Sequence, residues 1–311
     1  MGFLRSLQQS VPARVGLLGN PSDLYGGQVI GFALADFCAT VKLRETEDGG
    51  VSCVGSAAEL LGAAWRRTEK RLPPGFPAPN FVLAAETTIP LQVGLSGSSA
   101  IVVAALRVMG EFIGIEQDPF ELAEEALAVE TEELGLLAGP QDRVLQVYGG
   151  LLNMHFRDPR AAVNYEQLDV SLLPRLLVAW DPSTGENSGT AHQIVFDRWQ
   201  AGDDSTRAGM RAIADLALEG RRALEQGDEA LLGQLMNRNF DHRRELFDLG
   251  SAAAAPVELA RREGAAAKFC GSGGAVVVLV KDELHLTRLE EAYDAFGWCS
   301  IRPRVAPALA R

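Results

Sequence analysis

The stretch PLQVGLSGSSAIVVAALRV, Pro90 to Val108, places five glycine and serine residues within six positions, directly ahead of an apolar, alanine-rich run. Glycine costs conformational entropy, and serine competes for backbone hydrogen bonds, so this composition needs a structural reason. The apolar run has the composition of a buried helix that begins near Ser98. The loop ahead of it is therefore a tight turn, a site for a nucleophile or a site for an anion.

The sequence distinguishes between these explanations of the loop. A nucleophile elbow requires G-x-S-x-G, but the fifth position counted from Gly94 is Ser98 rather than glycine. A P-loop requires G-x-x-x-x-G-K-[ST], and no lysine stands between Gly94 and Arg107. The remaining functional explanation is an anion site at the helix N-terminus, where backbone N–H groups are unpaired and the dipole is positive. A serine N-cap with flexible glycines remains open as the structural alternative.

The bulk composition indicates an ordinary globular chain. Its 311 residues are enough for a large core and favour two domains over one. The formal net charge of −12 disfavours a nucleic-acid partner, because duplex binding depends on neutralising phosphates. The sequence has neither a signal-peptide core nor about 18 consecutive apolar residues, so we expect no membrane span. Four separated cysteines without a C-x-x-C pair suit a reducing compartment, and we expect a cytoplasmic protein.

Helical and strand patterns alternate along the chain without a regular βαβ rhythm, which predicts an α+β fold. The segment FVLAAET is typical of a strand, and Ala57 to Lys70 is typical of a helix. A further helix is predicted to start at Asp118, which would be its N-cap, with Pro119 in the first helical position. A candidate domain boundary near Asp158 to Leu173 divides the chain into residues 1–165 and 166–311.

Three ordered segments resemble motifs of the GHMP kinases, the superfamily of galactokinase, homoserine kinase, mevalonate kinase and phosphomevalonate kinase. The pattern P-x-x-x-G-L-x-x-S-S-A from Pro90 resembles their phosphate loop, and PARVGLLGNPSDLYGG from Pro12 resembles their N-terminal substrate motif. KFCGSGGAVVVLV from Lys268 resembles their C-terminal glycine motif. The resemblance implies a kinase that uses ATP and Mg²⁺. It also implies a ribosomal-protein-S5-like N-terminal domain that binds nucleotide and substrate, and a ferredoxin-like C-terminal domain.

The resemblance also implies which residues form the site. The nucleotide would be bound by Pro90, Gly94, Leu95, Ser96, Gly97, Ser98, Ser99, Ala100, Gly271, Ser272 and Gly273. The family's catalytic aspartate lies in an A-G-x-x-D segment, which makes Asp142 the candidate here, although a helix N-cap is the structural alternative. Arg14 stands where the family often has a cation near the attacking hydroxyl, and such a cation would stabilise developing negative charge. A surface arginine at the start of a strand is its structural alternative.

A magnesium ion would need a hard oxygen ligand besides Ser99. At about 100° per residue, Glu130 falls in the middle of the apolar arc of the helix that starts at Asp118. A carboxylate that faces the core is costly unless a cation or metal accompanies it. We therefore expect Glu130 to bind the metal, and the alternative is a buried ion pair with an arginine.

The substrate motif departs from the Gly-Glu-His-x-Asp pattern of galactokinase, since this chain has Gly-Asn-Pro-Ser-Asp ending at Asp23. The combination of RVGLLGNPSD, IPLQVGLSGSSAIV and ELGLLAGPQDRVLQVYGG resembles plant-type glucuronokinases, which phosphorylate the anomeric hydroxyl of D-glucuronate. This implies a sugar-acid substrate bound by Asn20, Asp23, Tyr25, Gly139 and Arg143. Arg143 is the candidate for the substrate carboxylate because a guanidinium can bind it bidentately, and a structural ion pair is the alternative. Galacturonate, another sugar, a mevalonate-type alcohol and a non-catalytic sensor are the alternatives for function.

Overall fold

The computed structural model describes residues 4–157, 164–183 and 189–308. Their strands and helices alternate irregularly, as the α+β prediction requires. In chain order they are β1 Ser6–Leu18, β2 Gln28–Glu45, β3 Val51–Val54, α1 Ala58–Glu69, β4 Phe81–Thr87, α2 Gly97–Ile113, α3 Pro119–Ala128, α4 Gln141–Tyr148, β5 Leu151–His155, β6 Tyr165–Leu168, β7 Leu176–Trp180, α5 Gly189–Gln200, α6 Asp204–Gln226, α7 Glu229–Leu246, α8 Ser251–Arg262, β8 Ala267–Phe269, β9 Ala275–Leu279, α9 Glu283–Ala295 and β10 Cys299–Ile301.

The first sheet is organised around the long strand β2. It pairs antiparallel with β1, while β4 pairs with residues 39–45 of β2 and β5 pairs with residues 28–32. β3 adds to β4 in parallel, and β6 adds to β5 antiparallel. By sheet membership the first unit extends to Leu168, and the expected boundary after residue 165 lies at the start of β6.

The second sheet is antiparallel in the order β10-β7-β9-β8. Side chains of β9 point alternately to the two faces of the second sheet. On one face, Ala275 and Val277 belong to the large apolar cluster shared with the first sheet. Val276 and Val278 face the opposite way, into a cluster with residues of α8 and α9. Helix α7 connects the two sheets, since it contacts both β1 and β8, and α6 packs against α7 and the first sheet.

The predicted helix signals correspond to real helix boundaries. The Asp118 carboxylate accepts hydrogen bonds from the N–H groups of Phe120 and Glu121, at 2.9 and 3.1 Å, and thereby caps α3. Helix α2 is almost entirely buried between α1 and strands β1 and β2. Its N-terminus is thus fixed in place by the core behind it. Within the described residues, no helix combines the length and apolarity that a membrane crossing requires.

Candidate active site

Most of the positions expected from the motifs line one cavity of about 1000 Å³. The expected residues in its lining are Arg14, Asn20, Asp23, Pro90, Gly94, Leu95, Ser96, Gly97, Ser98, Ser99, Glu130, Gly139, Asp142, Arg143, Gly271 and Ser272. Segments far apart in sequence therefore meet at one place in the fold.

Three expected residues, Tyr25, Ala100 and Gly273, are not in the described lining of this cavity. Ala100 is fully buried in α2, and its N–H already donates to the carbonyl oxygen of Ser96 at 3.1 Å. Its amide is therefore used within the helix rather than free for a phosphate. Tyr25 packs edge-on against Trp199, with ring centroids 5.4 Å apart.

The glycine-serine loop ends in a residue that does not cap the helix. Ser96 occupies the N-cap position of α2 with a left-handed backbone, φ 68°, and its side chain makes no capping hydrogen bond. Its hydroxyl donates instead to Oδ2 of Asp142 at 2.5 Å. The simple serine N-cap explanation therefore does not hold for Ser96. The first N–H groups of α2 lack intrahelical partners, and they belong to Gly97, Ser98 and Ser99, which line the cavity.

The C-terminal glycine motif packs directly on this loop. A Cβ atom at Gly271 would lie 2.2 Å from the carbonyl oxygen of Gly94. At Gly94, where φ is +73°, a Cβ would lie 2.6 Å from the carbonyl oxygen of Gly273. Backbone therefore contacts backbone at both positions, and no side chain fits there.

The buried Arg14 and the half-buried Asp142 form an ion pair beside the glycine-serine loop. Arg14 donates from Nε to Oδ1 of Asp142 at 2.7 Å and from Nη2 to Oδ2 at 2.8 Å, which is a bidentate fork. The Nη1 atom of Arg14 also donates to the carbonyl oxygen of Gly94 at 2.6 Å. Burial alone would disfavour the guanidinium charge, but Asp142 outweighs this effect, and the pKa of Arg14 is raised.

The geometry excludes the structural alternatives for both residues of this pair. Arg14 is only 4% exposed and is not a surface residue. Asp142 lies in the first turn of α4 behind the N-cap Pro140, so it is not the N-cap. The carboxylate of Asp142 is instead bound by groups from β1 and from the loop before α2.

Asp23 is a second carboxylate close to this pair. It accepts hydrogen bonds from the backbone N–H and the side-chain Nε2 of Gln141, at 3.3 and 2.9 Å. Burial, and then the nearby charge of Asp142, raise the pKa of Asp23 to about 6. A Cβ at Gly139 would lie 2.1 Å from Asp23 Oδ2, so the glycine of the A-G-x-x-D segment leaves room for this carboxylate.

Asn20 is held from behind by a buried lysine. Lys268 Nζ donates to Asn20 Oδ1 at 2.5 Å, to Gly16 O at 2.8 Å and to Phe269 O at 2.6 Å. Burial lowers the pKa of Lys268 to about 7. Lys268 begins the C-terminal glycine motif, so this motif supports the substrate motif as well as the phosphate loop.

Glu130 and Arg143 contact each other. They form an ion pair in which the side chains are 6% and 3% exposed, and Arg143 also donates to the carbonyl oxygen of Gly139. Glu130 is buried as its periodicity predicts, although α3 ends at Ala128 and a π-helical turn covers Val129–Glu133. The alternative of a buried ion pair thus describes both residues in this structure. The Oε1 atom of Glu130 is buried and has no hydrogen-bond partner in the described part of the chain.

Among the lining residues that the sequence motifs did not indicate are Arg243 and His192. Arg243 projects from α7, and it donates to Gly271 O at 2.8 Å and to Ser272 O at 2.9 Å. A signal for it exists in the sequence. Asn239 and Arg243 are polar residues four positions apart on the buried face of α7, next to Phe240.

Comparison with known proteins agrees with the motifs. The family model described as GHMP kinases N terminal domain matches residues 57–150, and the model described as GHMP kinases C terminal matches residues 221–297. Glucuronokinase 1 of Arabidopsis thaliana is 36% identical to this chain, over 95% of the chain and 91% of that protein. "Probable glucuronokinase 2" of the same plant is 39% identical over 86% and 82% respectively. The crystal structure of Lactococcus lactis galactokinase has the same fold, with a TM-score of 0.81, 15% identity and coverage of 97% of this chain and 94% of that one.

Proposed function

Since this chain belongs to the GHMP kinases and is a small-molecule kinase, we propose that it transfers the γ-phosphoryl group of ATP to the anomeric hydroxyl of D-glucuronate. The product would be glucuronate 1-phosphate. The observation that carries the choice of substrate is the similarity to plant glucuronokinases along nearly the whole chain. The geometry supports phosphoryl transfer to a small alcohol, because a carboxylate and a cation lie beside a glycine-rich helix N-terminus.

The triphosphate would lie at the N-terminus of α2. Backbone N–H groups there are unpaired, and the helix dipole favours negative charge. The contact between Gly94 and Gly271 keeps side chains away from this position, so a phosphate can approach the backbone closely. An acidic chain can bind an anion in this way because the donors are local backbone groups rather than a basic surface.

Ser99 and Glu130 would hold the magnesium ion that the family implies. The fit rests on the buried Oε1 atom of Glu130, which has no hydrogen-bond partner, and on the place of both residues in the cavity lining. Within the described residues no group of three or more acidic, histidine or cysteine side chains could hold a metal, so most ligands would come from phosphates and water, as is usual for Mg²⁺. Bound Mg²⁺ would neutralise charge on the transferred group.

Asp142 would receive the hydrogen bond of the attacking hydroxyl. The fork from Arg14 and the hydrogen bond from Ser96 fix the orientation of this carboxylate before substrate arrives. The bond formed joins the anomeric oxygen to the γ-phosphorus, and the bond broken joins that phosphorus to the bridging oxygen of ADP. The hydroxyl proton passes toward Asp142, while Arg14 stabilises negative charge beside it.

Asp23, Asn20, Tyr25 and Gly139 would bind the sugar ring. Asp23 and Asn20 line the cavity, and both are fixed by neighbours, Gln141 and Lys268 respectively. Tyr25 lies outside the described lining, but its buried hydroxyl has no hydrogen-bond partner among the described residues and would need to turn toward the sugar. Burial, and then the charge of Asp23, raise the pKa of Tyr25 to about 12, so it acts as a neutral hydrogen-bonding group.

The test is a substrate panel with purified protein, Mg-ATP and a coupled assay for ADP. We expect turnover of D-glucuronate well above that of galacturonate, galactose, mevalonate and homoserine, and phosphorus NMR of the product should identify an anomeric phosphate. Turnover of mevalonate or galactose without glucuronate would contradict the substrate. Ligand-induced thermal stabilisation without any ADP release would indicate a sensor and contradict the reaction.

A further inference from the structure

Within the proposed function, on which this inference rests, the structure assigns recognition of the substrate's carboxylate to Arg243, with His192 beside it. The sequence had suggested Arg143 for this role. The three arginines of the cavity differ in whether a carboxylate of the protein is paired with them.

Two of the three cavity arginines already have carboxylate partners. Arg14 is paired with Asp142 through both oxygens, and Arg143 is paired with Glu130. Arg143 also contributes a hydrogen bond to Gly139. The Nε atom of Arg143 is buried without an acceptor, but the charge of this guanidinium, like that of Arg14, is already compensated by a carboxylate. A substrate carboxylate bound to either arginine would lie beside a second negative charge or would separate the existing ion pair.

Arg243 is the cavity arginine that lacks such a partner. It is 3% exposed, and the ion pairs of the cavity arginines among the described residues are those of Arg14 and Arg143. Its hydrogen bonds go to two backbone carbonyl groups and to Nε2 of His192, at 3.3 Å, and its Nε atom is buried without an acceptor. The face of Phe247 lies 5.0 Å from the guanidinium carbon. The carboxylate of Asp23 and the cation of Arg14 act on it only through their charges, with opposite sign. The groups in direct contact with this buried cation are therefore all neutral, which is costly unless an anion joins it.

His192 supplies no negative charge to Arg243, and it carries no positive charge that would compete for an anion. Burial, and then the positive charge of Arg243, lower the pKa of His192 to about 3. The ring is therefore neutral, and Nε2 accepts from Arg243 while Nδ1 carries the hydrogen. The pair thus presents a guanidinium and a neutral imidazole to the cavity, which both line.

The position of Arg243 suits a uronic acid. In such a sugar, the anomeric carbon and the carbon that bears the carboxylate are both attached to the ring oxygen, so the reacting hydroxyl and the carboxylate are close together. Arg243 donates to Gly271 O, and Arg14, which holds Asp142, donates at 3.3 Å to the adjacent carbonyl of Cys270. The carboxylate of a sugar whose anomeric hydroxyl faces Asp142 can therefore reach the unpaired guanidinium.

The test compares D-glucuronate with D-glucuronamide, a neutral analogue of nearly the same shape, in the intact protein and in Arg243→Gln. We expect the KM for glucuronate to rise roughly 10- to 100-fold in Arg243→Gln, the range expected for hydrogen bonds to a charged group. The KM values for glucuronamide and ATP should rise much less, since they report only the lost hydrogen bonds to Gly271 O and Ser272 O and not the loss of a charged contact. Calorimetric binding of glucuronate without nucleotide should weaken in parallel. Arg243→Lys keeps the positive charge but not the planar, bidentate guanidinium, so its KM for glucuronate should lie between those of the unaltered protein and Arg243→Gln.

Arg143→Gln is the matched control, because it removes a second buried guanidinium from the same cavity. It should affect glucuronate and glucuronamide alike. Equal losses of acid and amide binding in Arg243→Gln would overturn the inference, and so would an acid-selective loss in Arg143→Gln. In either case, glucuronate turnover by the unaltered protein would still support the proposed function. Absence of that turnover would contradict the proposed function and this inference together.

Discussion

Gly271→Ala perturbs the contact between the glycine motif and the phosphate loop with one methyl group. The added Cβ would lie 2.2 Å from Gly94 O and 2.6 Å from Nη1 of Arg14. An ordinary carbon–oxygen contact is longer by about 1 Å, so the loop, the motif or Arg14 must move by roughly that distance. The backbone of Gly271 lies outside the left-handed region, so the effect is steric rather than conformational.

Two magnitudes follow from this displacement. Overpacking of a rigid contact typically costs about 1–3 kcal/mol of unfolding free energy. A shift of about 1 Å in the groups that position the reactants lowers turnover by roughly 100-fold. We therefore expect a modest fall in melting temperature, together with a loss of about two orders of magnitude in kcat/KM for both ATP and sugar.

The control is Gly62→Ala, the same chemical change in helix α1. A Cβ there meets only Arg66 Nη1, at 3.7 Å, and alanine favours a helix by about 0.5–1 kcal/mol. This variant should keep normal kinetics and unfold at the same temperature or higher. Kinetic constants of Gly271→Ala within about twofold of those of the unaltered protein would refute the steric reasoning.

Three further predictions concern the carboxylates. Asp142→Asn should lower kcat by roughly 10²- to 10⁴-fold with little change in the KM for ATP, and near-normal turnover would remove Asp142 from the mechanism. Glu130→Gln should raise the Mg²⁺ concentration needed for half-maximal turnover at least about tenfold, and it should also lower the melting temperature, because it leaves Arg143 buried without its partner. Since burial raises the pKa of Asp23 to about 6, its carboxylate takes up a proton as the pH falls through that value, so kcat/KM for the sugar should decline below it. A pH profile of Asp23→Asn that keeps the same acidic limb would contradict that assignment.

The fold could be predicted, and most candidate site residues line one cavity, because local signals and ordered motifs pointed to the same structure. Asp118 starts a helix, Ala58–Glu69 forms one, and the glycine-serine loop leads into buried α2. Burial of Glu130 was also predictable, although the helical period is interrupted by a π-helical turn at Val129–Glu133. A turn of that kind changes the angle per residue only locally, so the side chain still faces inward.

The partners within the site could not be predicted, because they depend on contacts between distant segments. Ser96 donates to a carboxylate in α4 instead of capping its own helix, which no local pattern indicates. Glu130 and Arg143 were each expected to have an ion pair as the structural alternative, but the sequence did not indicate that they pair with each other. Arg243 lies in an arginine-containing helix beside the half-buried Arg244. Its contact with Gly271 depends on how the loop between β8 and β9 packs on α7, which no local pattern indicates.

The most direct measurement is a crystal structure with Mg²⁺, a non-hydrolysable ATP analogue and glucuronate. We expect the phosphates to lie on the N–H groups at the start of α2, between residues 94–99 and 271–272, with the metal at Ser99 and Glu130. The anomeric oxygen should lie within hydrogen-bond distance of Asp142. A nucleotide bound elsewhere, with this cavity empty, would contradict the account.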